Sequence, residues 1–173
     1  MTNFENRLKG GHPNSLGNTV EIVEEVLAEP STFNALFDCY FSEDEVVRLR
    51  TSNAMKRICK AKPTLLIPYL DRFLTEIAQI NQASTQWTLA QLFELLEIEM
   101  SPEQIGHAKI IMQDNLANHS DWIVLNASMH TLGKWSKKDR VLKEWLLPHL
   151  DRLAKDTRKS VAGRAKKISK QLA

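Results

Sequence analysis

LLIPYLDRFL at residues 65–74 and WLLPHLDRLA at residues 145–154 align with Pro68 on Pro148, Leu70 on Leu150, Asp71 on Asp151 and Arg72 on Arg152, an offset of 80. Two units of about 40 residues give that offset, a period that belongs to stacked helical repeats. A second set of segments keeps the same rhythm. Val47, Thr85, Val124 and Val161 open equivalent stretches at spacings of 38, 39 and 37. At their eighth, ninth and twelfth positions these carry Ala54, Met55 and Ile58, then Leu92, Phe93 and Leu96, then Thr131, Leu132 and Trp135, then Ile168, Ser169 and Leu172. The period recurs four times, and it predicts equivalent, parallel helices over 45–60, 85–98, 121–135 and 159–172 with Met55, Leu132 and Leu146 buried.

The rest of the chain also reads as helix. Six Gly and six Pro in 173 residues leave little turn material for a many-stranded sheet. Asn18 and Glu21 have the spacing of a capping box ahead of VEIVEEVLA, a helix that should stop at Glu29 before Pro30. STFNALFDCYF gives a second, short helix. Ser42 and Glu45 repeat the capping-box spacing ahead of VVRLRTSNAMKRICKA, where Val47, Ser52, Met55 and Ile58 recur at helical intervals. Six further amphipathic segments follow, from KPTLLIPYLDRFLTEIAQI to KSVAGRAKKISKQL, for nine expected helices and no strand. Ser101, Pro102 and Gln104 mark one helix start firmly, and Asp121 beside Trp122 reads as another. Pro68 and Pro148, at matching places, imply either a shared kink or a helix start at each.

DEVVRLRTSNAMKRI, residues 44–58, resembles the second helix of a HEAT repeat, with its turn acid at Asp44, the Val47–Arg48 pair, small residues at Thr51 and Ser52, and Ala54, Met55 and Ile58 in core positions. IVLNASMHTLGKW matches at Val124, Ser128, Leu132 and Gly133. The resemblance covers roughly residues 31–172. It implies an all-α fold, a right-handed α-α superhelix of about four HEAT-like helix pairs plus an N-terminal helix. Residues 1–18 are then expected to be a flexible tail and residues 19–173 a single repeat domain. The Arg after the opening residue occurs only at Arg48; Gln86, Leu125 and Ala162 replace it in the other units, so the charged ladder of long arrays is mostly missing. A two-helix unit cannot bury its apolar stripe alone, so neighbours must stack and the end helices become polar caps. Glu21, Glu24 and Glu25 fit one cap; Lys159, Arg164, Lys166, Lys167 and Lys170 fit the other.

Charge is unevenly spread. Residues 134–173 hold 13 Lys and Arg against 4 Asp and Glu, a balance of +9, whereas residues 1–133 carry 10 against 17, a balance of −7. The basic end reads either as a solvated cap or as a surface for an anionic partner, including weak polyanion or nucleic-acid binding without base specificity. The N-terminal stretch has no apolar run resembling a signal peptide, and no stretch reaches the length of a membrane span, so a cytoplasmic protein with no membrane partner is expected.

Catalytic motifs are scarce. Cys39 and Cys59 lie in apolar surroundings and read as buried small hydrophobes. The five histidines form no ligand pair, and no phosphate-binding or nucleophile-elbow motif is present, so neither metal nor cofactor is expected. Glu94, Glu97 and Glu99 read as a solvated face rather than paired catalytic carboxylates. What remains is surface. Under the HEAT pattern a stripe on the concave side comprises Arg50, Asn53 and Arg57, then Trp87 and Gln91, then Asn126, His130 and Lys134, then Arg164 and Lys167. Trp87 either packs into the core or anchors a partner there. Three functions fit: a non-catalytic protein-interaction or scaffold module binding a protein or peptide on its concave face, a nucleic-acid binder similar to the HEAT-like DNA glycosylases of alkylation repair, and a cofactor-handling enzyme similar to the bilin lyases.

Overall fold

Asp44, Ser101, Asp121 and Asp139 each stand just ahead of a helix with a side-chain oxygen on the free backbone N–H groups of its first turn, which is how this chain punctuates its helices. The computed structural model describes residues 2–173. Among these there is no strand, and ten α-helices follow in order: α1 Phe4–Leu8, α2 Thr19–Ala28, α3 Phe33–Phe37, α4 Glu45–Ala61, α5 Leu70–Thr75, α6 Ala83–Leu96, α7 Pro102–Asn118, α8 Trp122–Ser136, α9 Arg140–Leu153 and α10 Lys159–Leu172. No helix of the described residues is long and apolar enough to cross a membrane.

Helices α2, α4, α6, α8 and α10 pack side by side in that order, and α7 and α9 lie against α8 with α9 also against α10. Cross-helix bonds give the direction. Thr131 Oγ1 donates to the Ala90 carbonyl at 2.9 Å and Lys134 reaches Glu94; Asn126 reaches Ser160 and Arg164 reaches His130. Contacts advance together along each pair, so α6, α8 and α10 run parallel. Their apolar positions face one continuous core, in which Met55, Leu132 and Leu146 are fully buried. Helices α8 and α10 approach so closely that a methyl on Gly133 would stand 2.8 Å from Ile168 Cγ2. Glycine is required there for space rather than for backbone freedom.

Position by position, the sequence reading meets four corrections. Residues 2–18 are no loose tail: Phe4 and Leu8 of α1 are buried in the core, and the Gly-containing loop after them is fastened to α4. The two early capping boxes do not form. Asn18 makes no side-chain cap and donates instead to the Arg7 carbonyl; Ser42 donates to Glu5, leaving Asp44 to cap α4. The stretch 62–80 is broken, with 3₁₀ turns at Pro63–Leu65, Ile67–Tyr69 and Ile77–Gln79 around the short α5. Pro63 opens the first of these turns and Pro68 is the second residue of the next, because neither can donate to a helical ladder. Pro148, by contrast, lies inside α9. The box at Ser101 and Gln104 forms as expected, with both reciprocal bonds present.

Arg48 links α4 to the segments that precede α4 and α6: Nε donates to Gln82 Oε1 and Nη1 to the Ser42 carbonyl, both at 2.7 Å. Gln86, which the sequence aligns with Arg48, donates from α6 to the Ala78 and Ile80 carbonyls while accepting from Asn115. A neutral amide thus does there what the guanidinium does at Arg48. Leu125 and Ala162 occupy the next two such places and are simply buried.

Candidate functional site

The outward side of α4, α6, α8 and α10 carries a groove of about 420 Å³. That volume lies within the range of about 300–1,000 Å³ typical of ligand-holding clefts. Lys56 and Lys60, one turn apart on α4, stand on one wall. Gln91, Glu94 and Leu95 come from α6, Trp122, Asn126 and His130 from α8, and Arg164 from α10.

Its apolar surface is open. Trp122 is 49% exposed and Leu95 43%, large side chains left in water within one concavity. Singly exposed apolar residues need no explanation, but a gathered pair with a tryptophan in a cleft is how interaction anchors are presented. Trp122 opens α8, held at its start by Asp121, whose Oδ1 accepts from the Ile123 and Val124 amides at 2.8 and 3.0 Å.

Its charge is one-sided. Glu94 is the carboxylate of the lining, and it is already engaged: His130 Nε2 lies 3.1 Å and Lys134 Nζ 3.4 Å from it. Arg164 Nη1 lies 3.3 Å from His130 Nδ1. With the ring proton on Nε2 the imidazole accepts from Arg164 and donates to Glu94, so one polar chain ties α10, α8 and α6 together. Lys56 and Lys60 make no hydrogen bond or ion pair with any described residue. The Lys56 ammonium is held below the usual lysine range, by burial first and then by repulsion from Lys60 and Arg57. Two acceptors, Gln91 Oε1 and Asn126 Oδ1, are shielded from solvent and have no partner among the described residues.

Gln91, Asn126, His130 and Arg164 of the expected stripe come together in this groove, and Lys134 joins it through Glu94. Asn53, Arg57, Trp87 and Lys167 lie outside its lining. Arg57 Nε instead donates to Asn53 at 2.6 Å, and Trp87 is only partly exposed. Arg50 is a correction. It is 2% exposed, and its guanidinium donates to four backbone carbonyls of the N-terminal segment, so it belongs to no open surface. Glu94 is a second one, because it bridges helices rather than standing in solvent. Lys56, Lys60, Leu95 and Trp122 were not on the stripe. The signal that would have found Lys56 is its tenth position in the repeat, shared with Glu94.

The thiols take no part. Burial pushes Cys39 up to about 12, helped by the charges of Glu5 and Asp38, and pushes Cys59 up to about 11. Both are buried and unpaired, so neither supplies a thiolate near neutrality. No protein family, curated protein or solved structure is matched by this chain.

Proposed function

We propose that the chain is a non-catalytic protein-interaction module of the HEAT-like kind, a right-handed α-α superhelix of about four helix pairs, which takes a segment of a partner protein on its concave face. The observation that carries this reading is the groove across α4, α6, α8 and α10, where exposed Trp122 and Leu95 stand among unpaired donors and acceptors. A repeated layer of parallel helices is the scaffold on which solenoids place such surfaces. A partner residue against Trp122 and Leu95 removes apolar area from water.

A second reading, nucleic-acid binding, is favoured by α10. Lys159, Arg164, Lys166, Lys167 and Lys170 are all exposed, none meets a carboxylate among the described residues, and Val161, Ala165, Ile168 and Leu172 dock the helix from beneath. Its footprint would be confined to that end, because the acidic remainder repels a long polyanion.

Selection from a displayed random-peptide library separates the two. Peptides are expected to enrich on the protein and to bind Trp122→Ala at least about tenfold more weakly, while the thermal midpoint stays unchanged. Enriched peptides indifferent to Trp122→Ala, or none at all, would end the groove reading. Salt-sensitive binding of duplex DNA, abolished when Lys166, Lys167 and Lys170 are changed to Ser, would carry the second.

A further inference from the structure

Resting on that reading, we infer that the groove's occupant is an acidic extended segment, with carboxylates facing Lys56, Lys60 and Arg164 and an apolar side chain between them against Trp122 and Leu95.

Three cations of the lining have no carboxylate, and the one carboxylate present is already shared between His130 and Lys134. The groove therefore holds Lys56, half-buried, beside the exposed Lys60, both uncompensated, an arrangement that anionic groups relieve and cationic ones worsen. The same segment of chain, residues 1–133, has a net balance of −7. Lys56 and Lys60 are thus a local positive site in an acidic body. A long polyanion meets the repulsion of the whole body, whereas a short acidic segment lying in the groove meets mainly the groove.

Shape points the same way. Four neighbouring helices spaced by about 9 Å span about 27 Å, which an extended chain covers in about eight residues. The protein already binds one stretch of its own backbone from α4: Arg50 holds four carbonyls of the N-terminal segment.

Two labelled peptides of about twelve residues, identical except that one carries Glu and the other Gln on either side of a central Leu, provide the probe for fluorescence anisotropy at low salt. The Glu peptide is expected to bind at least about tenfold tighter than the Gln peptide, to lose that advantage on Lys56→Glu with Lys60→Glu, and to keep it on Lys166→Ser with Lys170→Ser. A matching Lys peptide should bind the doubly reversed protein better than the parent, which a variant that merely unfolds cannot do. Equal binding of Glu and Gln peptides, both dependent on Trp122, would overturn the acidic occupant and leave the interaction module standing. A Glu peptide whose affinity follows Lys166 and Lys170 but ignores Lys56 and Lys60 would overturn it as well, since attraction to the basic end suffices to explain that result.

Discussion

Arg50→Met is expected to cost about 3 kcal/mol of folding free energy and to set residues 2–18 loose from the rest. The guanidinium Nη1 donates to the carbonyls of Leu8 and Gly10 at 2.7 and 2.6 Å, Nε to Ser15 at 3.1 Å and Nη2 to His12 at 3.2 Å. No carboxylate among the described residues pairs with it; converging carbonyl dipoles stabilise the buried charge, one of them at the end of α1 where helical partners run out. Methionine keeps much of the stem and removes every donor, so four acceptors lose a charged partner at once. The loop is built for this grip. Gly10 and Gly17 adopt φ of +80° and +53°, and a Cβ on Gly17 would stand 3.1 Å from the Arg50 guanidinium carbon. Arg50→Lys should recover only part of the loss, because a single ammonium cannot span the fork. Denaturant unfolding measures the cost, and faster proteolytic cutting near Gly10 and Gly11 reports the released segment; an unchanged midpoint with an equally protected loop would show that the latch contributes nothing.

Leu132→Ala is expected to lower stability by about 2–5 kcal/mol, the range for emptying a fully enclosed leucine site. Leu132 is wholly buried on α8, the helix packed against α6, α7, α9 and α10 at once. Its neighbour Gly133 already brings Ile168 to the limit of approach, which leaves little slack for the site to collapse. Chemical denaturation of the two proteins measures the difference. A variant as stable as the parent would show that the layers are not joined through α8.

Much of this architecture is legible in the sequence, for a physical reason. Helices that stack must repeat their apolar positions, so Met55 and Leu132 are found by period alone and are indeed enclosed. Asp121 and Ser101 are legible because a cap acts over three residues. Arg50 is not, since a charged residue on a helix reads as surface and its partners come from a glycine loop 35 to 42 residues away. Ser42 and Asn18 mislead for the same reason: both have cap spacing, yet tertiary partners, Glu5 and the Arg7 carbonyl, claim their side chains. The groove is half visible. Helical phase brings Gln91, Asn126, His130 and Arg164 to one side, but Lys56 and Glu94 stand at the tenth position of their units, a step of 100° from the eleventh position chosen for the stripe. Trp122 precedes the repeat's opening residue altogether, so no register assigns it.

The groove account is tested most directly by the indole N–H signals of the four tryptophans during titration with the Glu-bearing peptide. Each of Trp87, Trp122, Trp135 and Trp145 gives its own resonance, assigned by single Trp→Phe replacements. The Trp122 signal should move furthest, together with the side-chain amides of Gln91 and Asn126, while the signals of Trp87, Trp135 and Trp145 stay near their free positions. A stationary Trp122 alongside shifts on the outward side of α10, at Lys166 and Lys170, would contradict the account and place binding at the basic end of the chain instead.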